Sequence, residues 1–269
     1  MPDFLLSVLS SPYFIGSVFV IYGAFFVYTK LLPNARRAKL ALSSYRMAKG
    51  STLTPERLRL VALSAVNAEQ WSAYHNTLSL GKELKEHAEG FLTQGYGVDS
   101  PRAAREAIEG RLSGQFSSML PIIFGAFQLD IARRKDFLHE AAGDDRDLYN
   151  YLMDKVDHLI ANLPTLEKKG VVSGQNDIMK YSLIGWEIGQ ASMLVRASYD
   201  LGHISEEEAW GYLEQAQKLA RKNFNSWEEY GMSYLVGRAI QLKDGAEDMP
   251  VFVFDLLKNQ KSPWLSCGW

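Results

Sequence analysis

The 269-residue chain has one cysteine, Cys267. A lone thiol excludes a disulfide framework and a cysteine-rich zinc module, and no base stands near Cys267 in the chain to activate it. There is no His-Glu-x-x-His pair. The five histidines, His75, His87, His139, His158 and His203, are scattered, and Asp154 and His158, four apart, give no more than a weak hint of a metal site. Neither a metal nor a cofactor is expected. A Gly-x-x-x-x-Gly-Lys-Ser/Thr loop is missing, which argues against a P-loop nucleotide site. So is the Gly-x-Ser-x-Gly elbow of a serine hydrolase. No low-complexity linker follows residue 50. Charged residues make up only 22% and hydrophobic ones 47%, with a mean hydropathy of -0.15. These values exclude a disordered chain, a collagen-like fibre and a polytopic membrane protein.

Charge is also lacking where it matters most. From Phe4 to Thr29 no side chain is charged, and the apolar run continues to Leu31 and Leu32. About 20 such residues span the roughly 30 Å hydrocarbon core of a bilayer. Tyr13 and Tyr28 flank the densest part, as interfacial aromatics do. A cleaved signal peptide needs a basic start and a small-residue cleavage site; this segment has Asp3 and neither. The pattern predicts a retained single-pass transmembrane helix, with residues 1–33 as the anchor.

A basic collar follows. Six basic residues lie between Lys30 and Lys49 with no acidic residue among them. They predict a juxtamembrane segment at 34–50, an outside N-terminus and a cytoplasmic main domain. Lys30, Arg36, Arg37 and Lys39 are placed to meet anionic lipid headgroups. Residues 1–60 hold eight basic side chains against Asp3 and Glu56, a charge of +6. The net charge is -2, so the remainder carries -8. An acidic body does not suit nucleic acid, whose binding needs a basic face.

Residues 51–269 read as one multi-helix domain, so the fold class is all-α after the anchor. Thr54-Pro55 starts a helix through Leu58, Val61, Ala62, Ala65 and Val66. Lys82 to Gln94 forms another, and Ser100-Pro101 opens a third through Ala104, Ile108 and Leu112. Phe116 to Phe127 is an apolar run that Pro121 is expected to kink. Asp144 is placed to cap a helix through Leu148, Leu152, Val156 and Leu159 that ends at Pro164. A long helix is expected from Asp177 to Leu201, closed by Gly202. Ser205 with Glu208, and Ser226 with Glu229, read as capping boxes. Val251–Phe254 reads as a short strand, and the tail from Pro263 as irregular, pinned by Trp264 and Trp269.

Two segments carry a family likeness. One is Gly95-Tyr-Gly-Val-Asp-Ser-Pro-Arg-Ala-Ala-Arg-Glu-Ala-Ile108. The other is Trp186-Glu-x-x-Gln190, then Arg196, Tyr199 to Trp210, Phe224 to Tyr230, Tyr234 and Gly237-Arg238. The chain resembles the bacterial family catalogued as domain of unknown function 1266, over most of its length after about residue 55. The resemblance implies a mostly helical bacterial domain and carries no activity with it. The family's usual first motif is Trp-Asp-x-x-Arg; here Glu187 and Gln190 replace the Asp and Arg, so chemistry resting on that pair does not transfer.

The last helices hold a polar cluster: Trp186, Glu187, Gln190, Arg196, Asp200, Trp227, Glu228 and Arg238. Glu187 and Gln190 share a helix face, and Arg196 and Asp200 can pair at a spacing of four. Such a set is either a binding or acid–base site or a buried network that orients helices. Trp186, Trp210 and Trp227 invite a ligand-pocket reading, but large rings at helical spacing suit core packing better. Gly185 and Gly189 form a notch that suits close helix packing. The sequence is expected to encode a membrane-anchored protein-binding module in a bacterial inner membrane, of the kind that neutralises a toxin. Its acidic body suits a basic partner. The alternatives are an enzyme using the Glu/Arg cluster and a membrane-associated assembly factor.

Overall fold

The computed structural model describes residues 45–269, which form one unit. The expected anchor at 1–33 and the headgroup residues Lys30, Arg36, Arg37 and Lys39 lie outside the described residues, as does most of the 34–50 collar. Among the described residues every regular element is helical, and no helix is long and apolar enough to cross a membrane.

Capping chemistry sets most helix starts. The Thr54 hydroxyl accepts from the Arg57 amide, and Pro55 opens α1 (Pro55–Ala62). The expected longer helix breaks at Leu63 and Ser64, and α2 (Ala65–Trp71) follows. A 3-10 turn at Lys82–Leu84 leads into α3 (Lys85–Tyr96). Ser100 caps α4 (Pro101–Leu112). Pro121 begins a helix rather than kinking one. It occupies the first turn of α5 (Leu120–Phe127), where a missing N–H costs nothing, after a 3-10 turn at Ser117–Met119. Asp130 caps α6 (Ile131–Ala142), which buries only Leu138 and Ala142 and so shows little periodicity.

Asp145, one residue beyond the expected cap, starts α7 (Arg146–Lys168). This helix runs four residues past Pro164, whose ring sits on the exposed side while Asn162 and Leu166 are buried. The expected helix from Asp177 to Leu201 is two helices, α8 (Asn176–Tyr181) and α9 (Ile184–Asp200). They part at Ser182, a non-glycine residue at φ 58°. The Ser205–Glu208 box is complete at the start of α10 (Glu206–Asn223). Ser226 caps α11 (Trp227–Gln241), but the Glu229 carboxylate turns back to the Asn225 amide, so that box is open.

Val251–Phe254 is not a strand. It lies within α12 (Met249–Lys258), which buries Met249, Val253 and Leu256 at helical spacing. Pro250 in the first turn starts the helix, and packing of that face overrides the β preference of the Val and Phe residues. The tail is not wholly irregular, because Ser262 caps a last short helix, α13 (Pro263–Cys267). Its tryptophan does pin it. Trp264 is fully buried, stacks on Trp227 at 5.1 Å, and donates from Nε1 to the Ala62 carbonyl at 2.9 Å.

The architecture turns on α9. All its residues from Ile184 to Ser198 are buried, and it packs against α2, α3, α4, α10 and α11. A helix apolar or buried on every side is the core of its domain. Its first half joins one apolar cluster through Ile184, Trp186 and Ile188. Its second half joins another through Met193, Leu194 and Val195. The polar side chains of α9 are therefore fixed between five neighbouring helices.

Candidate functional site

Six residues of the expected polar cluster fall into three groups, and Trp227 and Glu228 stand apart from them. At the C-terminal half of α9, Arg196 is fully buried and donates to the carbonyls of Tyr74, Thr77, Leu78 and Ser79 and to the Ser64 hydroxyl. Burial lowers its pKa to about 10, against the opposing influence of Asp200. Asp200 does not reach it as an ion pair. Its carboxylate accepts from the Leu80 amide at 2.7 Å, on the same 74–80 loop. Arg196 and Asp200 are thus the struts of that loop. Trp227 holds the tail through an Nε1 bond to the Gly268 carbonyl, and Glu228 is exposed.

Glu187 is fully buried and holds a second turn. Its carboxylate accepts from the Phe116 amide at 2.8 Å, the Ser117 amide at 3.1 Å and the Ser117 hydroxyl. Burial pushes its pKa up, and these donors, with the nearby Arg111 charge, pull the other way.

The remaining three, Trp186, Gln190 and Arg238, line a single cavity of about 400 Å³. Helix α2 adds Asn67, Gln70 and Trp71; α3 adds Gly95 and Tyr96; α4 adds Arg111; and α11 adds Gln241 beside Arg238. The walls are aromatic and interlocked. Trp71 and Phe91 meet edge to face at 4.6 Å, and Phe91 and Tyr96 at 4.9 Å. The Arg111 guanidinium lies over the rings of Phe116, Trp186 and Tyr96 at 4.3, 4.8 and 5.2 Å. Tyr96 donates to Gln190 Oε1 at 2.6 Å, and burial pushes its pKa up to about 12.

What sets this cavity apart is unfinished hydrogen bonding. Six buried polar side-chain atoms among the described residues have no partner, on Asn67, Arg111, Trp186, Ser192, Ser198 and Arg238. Four of those six residues, all but the two serines, line this one cavity. Folded proteins rarely leave such groups unpaired. Two more open concavities, of about 460 and 440 Å³, lie beside His139–Asn150 and beside Trp210, and no orphaned atom lines either.

Both segments that carry the family likeness meet here, one through Gly95 and Tyr96, the other through Trp186, Gln190 and Arg238. The family described as protein of unknown function (DUF1266) matches residues 91–269. The chain belongs to the DUF1266 family. No curated protein and no solved structure matches it. In this DUF1266 chain the cavity draws Asn67, Gln70 and Trp71 from ahead of the matched region. The sequence reading missed these and Arg111. Arg111 left a signal: it falls three residues after Ile108, on the buried stripe of α4, where a charge needs a reason.

Proposed function

We propose that this protein is a membrane-tethered binding module whose helical body takes a small molecule in the cavity between α2, α3, α4, α9 and α11. The observation that carries the reading is the gathering of four orphaned polar groups around one aromatic-walled cavity. A concave site of 300–1,000 Å³ with convergent polar groups is the usual form of a ligand site. The apolar run from Phe4 and the basic collar support attachment to an inner membrane with the body on the cytoplasmic side. An enzyme built on Glu187, Arg196 and Arg238 draws no support from the geometry. Glu187 and Arg196 are nine residues apart on α9, about 13 Å along its axis, and each is committed to a different loop.

The test is thermal unfolding of the full-length protein in micelles against a metabolite library, with tryptophan fluorescence as the second signal. A ligand at this site raises the melting temperature and alters the emission, and Trp186→Phe weakens both effects. A library without one Trp186-dependent hit overturns the reading.

A second reading rests on the charge of -8 carried beyond residue 60. An acidic surface steers a basic protein partner, such as a toxin to be neutralised at the membrane. Recovery of one stoichiometric partner with the tagged full-length protein supports it. Its absence leaves the cavity as the binding function.

A further inference from the structure

The cavity has a definite chemical character. It holds two guanidinium groups, those of Arg111 and Arg238, and no carboxylate lines it. Neither arginine forms an ion pair among the described residues. The carboxylate that the Arg111 charge acts on is that of Glu187, which does not line the cavity. Its oxygens are taken by the backbone and hydroxyl of the 116–117 turn. The three unpartnered donors are Arg111 Nη1, Arg238 Nε and Trp186 Nε1, and Trp186 is only 5% exposed. Two guanidinium groups that line the cavity without an ion-pair partner call for a group that is all acceptor and negatively charged. An oxyanion meets that demand, and arginine's planar fork binds one in its own plane. The aromatic contacts fix the Arg111 guanidinium against Phe116, Trp186 and Tyr96 before any ligand arrives. The opposite demand comes from the walls. Trp71, Phe91 and Tyr96 form an edge-to-face chain beside the arginines, a surface suited to a flat ring.

We propose, resting on the reading of this cavity as a ligand site, that its ligand is a planar aromatic or heterocyclic ring bearing a carboxylate or phosphate. The oxyanion sits between the Arg111 and Arg238 guanidinium groups, beside the Trp186 ring. The ring lies toward Trp71 and Phe91. The shared chemistry is the ring-borne oxyanion, and the probes separate its two forms.

The experiment is calorimetric titration of the full-length protein in micelles with matched probes. Quinoline-2-carboxylate and phenyl phosphate represent the two anions. Quinoline-2-carboxamide and phenol are their neutral counterparts, and acetate and inorganic phosphate lack the ring. We expect one ring-borne anion to bind at least tenfold more tightly than its neutral and ringless counterparts, and its affinity to fall as salt is raised. Arg238→Gln lowers that affinity at least tenfold, and Arg238→Lys restores only part of it, since an ammonium lacks the planar fork. The wild-type comparison stands even where a variant unfolds. Equal binding of the carboxamide or phenol overturns the anionic class and leaves the site. Equal binding of acetate or inorganic phosphate overturns the ring. If no probe binds while the library yields a Trp186-dependent hit, the class falls alone. If neither yields binding, the site reading falls with it.

Discussion

Glu187 shows how one side chain can look catalytic in sequence and be structural in the fold. It lies on the buried helix α9, next to Trp186, in a motif position that invites an acid–base role. Yet both of its oxygens accept from the turn that leads into α5. Its pKa in the folded chain lies above the ordinary value of 4.5, chiefly because burial disfavours the charge. The sign follows from proton linkage. Between 4.5 and the raised folded value the native state holds more protons than the unfolded one, so the stability this group contributes is full below 4.5 and is lost as pH rises through the folded value. Glu187→Gln removes that dependence. The stability of the variant relative to the wild type therefore increases from pH 4.5 toward neutrality, whatever its level at the start. Urea midpoints at a series of pH values read this directly, and a difference that stays flat with pH contradicts it.

At the scale of the helix, the decisive contacts are between α9 and α11, and glycine makes them. A Cβ on Gly237 would lie 2.5 Å from Trp186 Cβ and 3.1 Å from the Leu183 carbonyl. Gly211 on α10 is the contrast, with nothing within 4 Å of its Cβ position. Gly211→Ala is expected to stabilise by about 0.5–1 kcal/mol through helix propensity. Gly237→Ala is expected to destabilise by about 1–3 kcal/mol, overpacking outweighing the same gain, and to weaken ligand binding because Trp186 must shift. Denaturation of the two variants side by side checks the opposite signs. These elements also show where sequence is legible. Thr54, Ser100 and Ser205 announce their helices because a cap is a local hydrogen bond. The notch at Gly185 and Gly189 was readable as close packing, because a missing side chain is visible in the sequence. The break at Ser182 was not, since it is imposed by α11: the Ser233 hydroxyl takes the Gly185 amide at 2.9 Å, a contact 48 residues away. The helical state of Val251–Phe254 was hidden for a similar reason, because four residues of β-prone type cannot report which face α12 buries. The cavity was half legible. Trp186, Gln190 and Arg238 stand in recognisable segments, whereas Asn67 and Trp71 join them only through tertiary packing.

For the whole molecule, the family match and the folding unit have different limits. The match begins at residue 91, but the core does not. Residues 45–90 supply the loop carbonyls and the Ser64 hydroxyl that hold the buried Arg196 charge. They supply the Leu63 carbonyl for the buried Tyr230 hydroxyl at 2.6 Å, and the Ala62 carbonyl for Trp264. Tyr45 reaches across to the Asp255 carboxylate at 2.5 Å, so the beginning and end of this unit are tied together. Removing residues 1–90 would leave a guanidinium in the interior without acceptors. Breaking a buried charged network costs about 3–5 kcal/mol, comparable to the roughly 5–15 kcal/mol that stabilises an entire domain. Val61 of α1 and Ala68 of α2, which share an apolar cluster with the second half of α9, would be lost as well. A chain that starts at residue 91 is therefore expected to lack a cooperative thermal transition, whereas one that starts at residue 45 keeps it. Circular dichroism melts of the two chains decide the matter, and a sharp transition in the shorter one would show that α4 to α13 close a core by themselves. The expected failure has a functional corollary: the residues that complete the cavity wall, Asn67 and Trp71, belong to the segment without which the domain does not hold together.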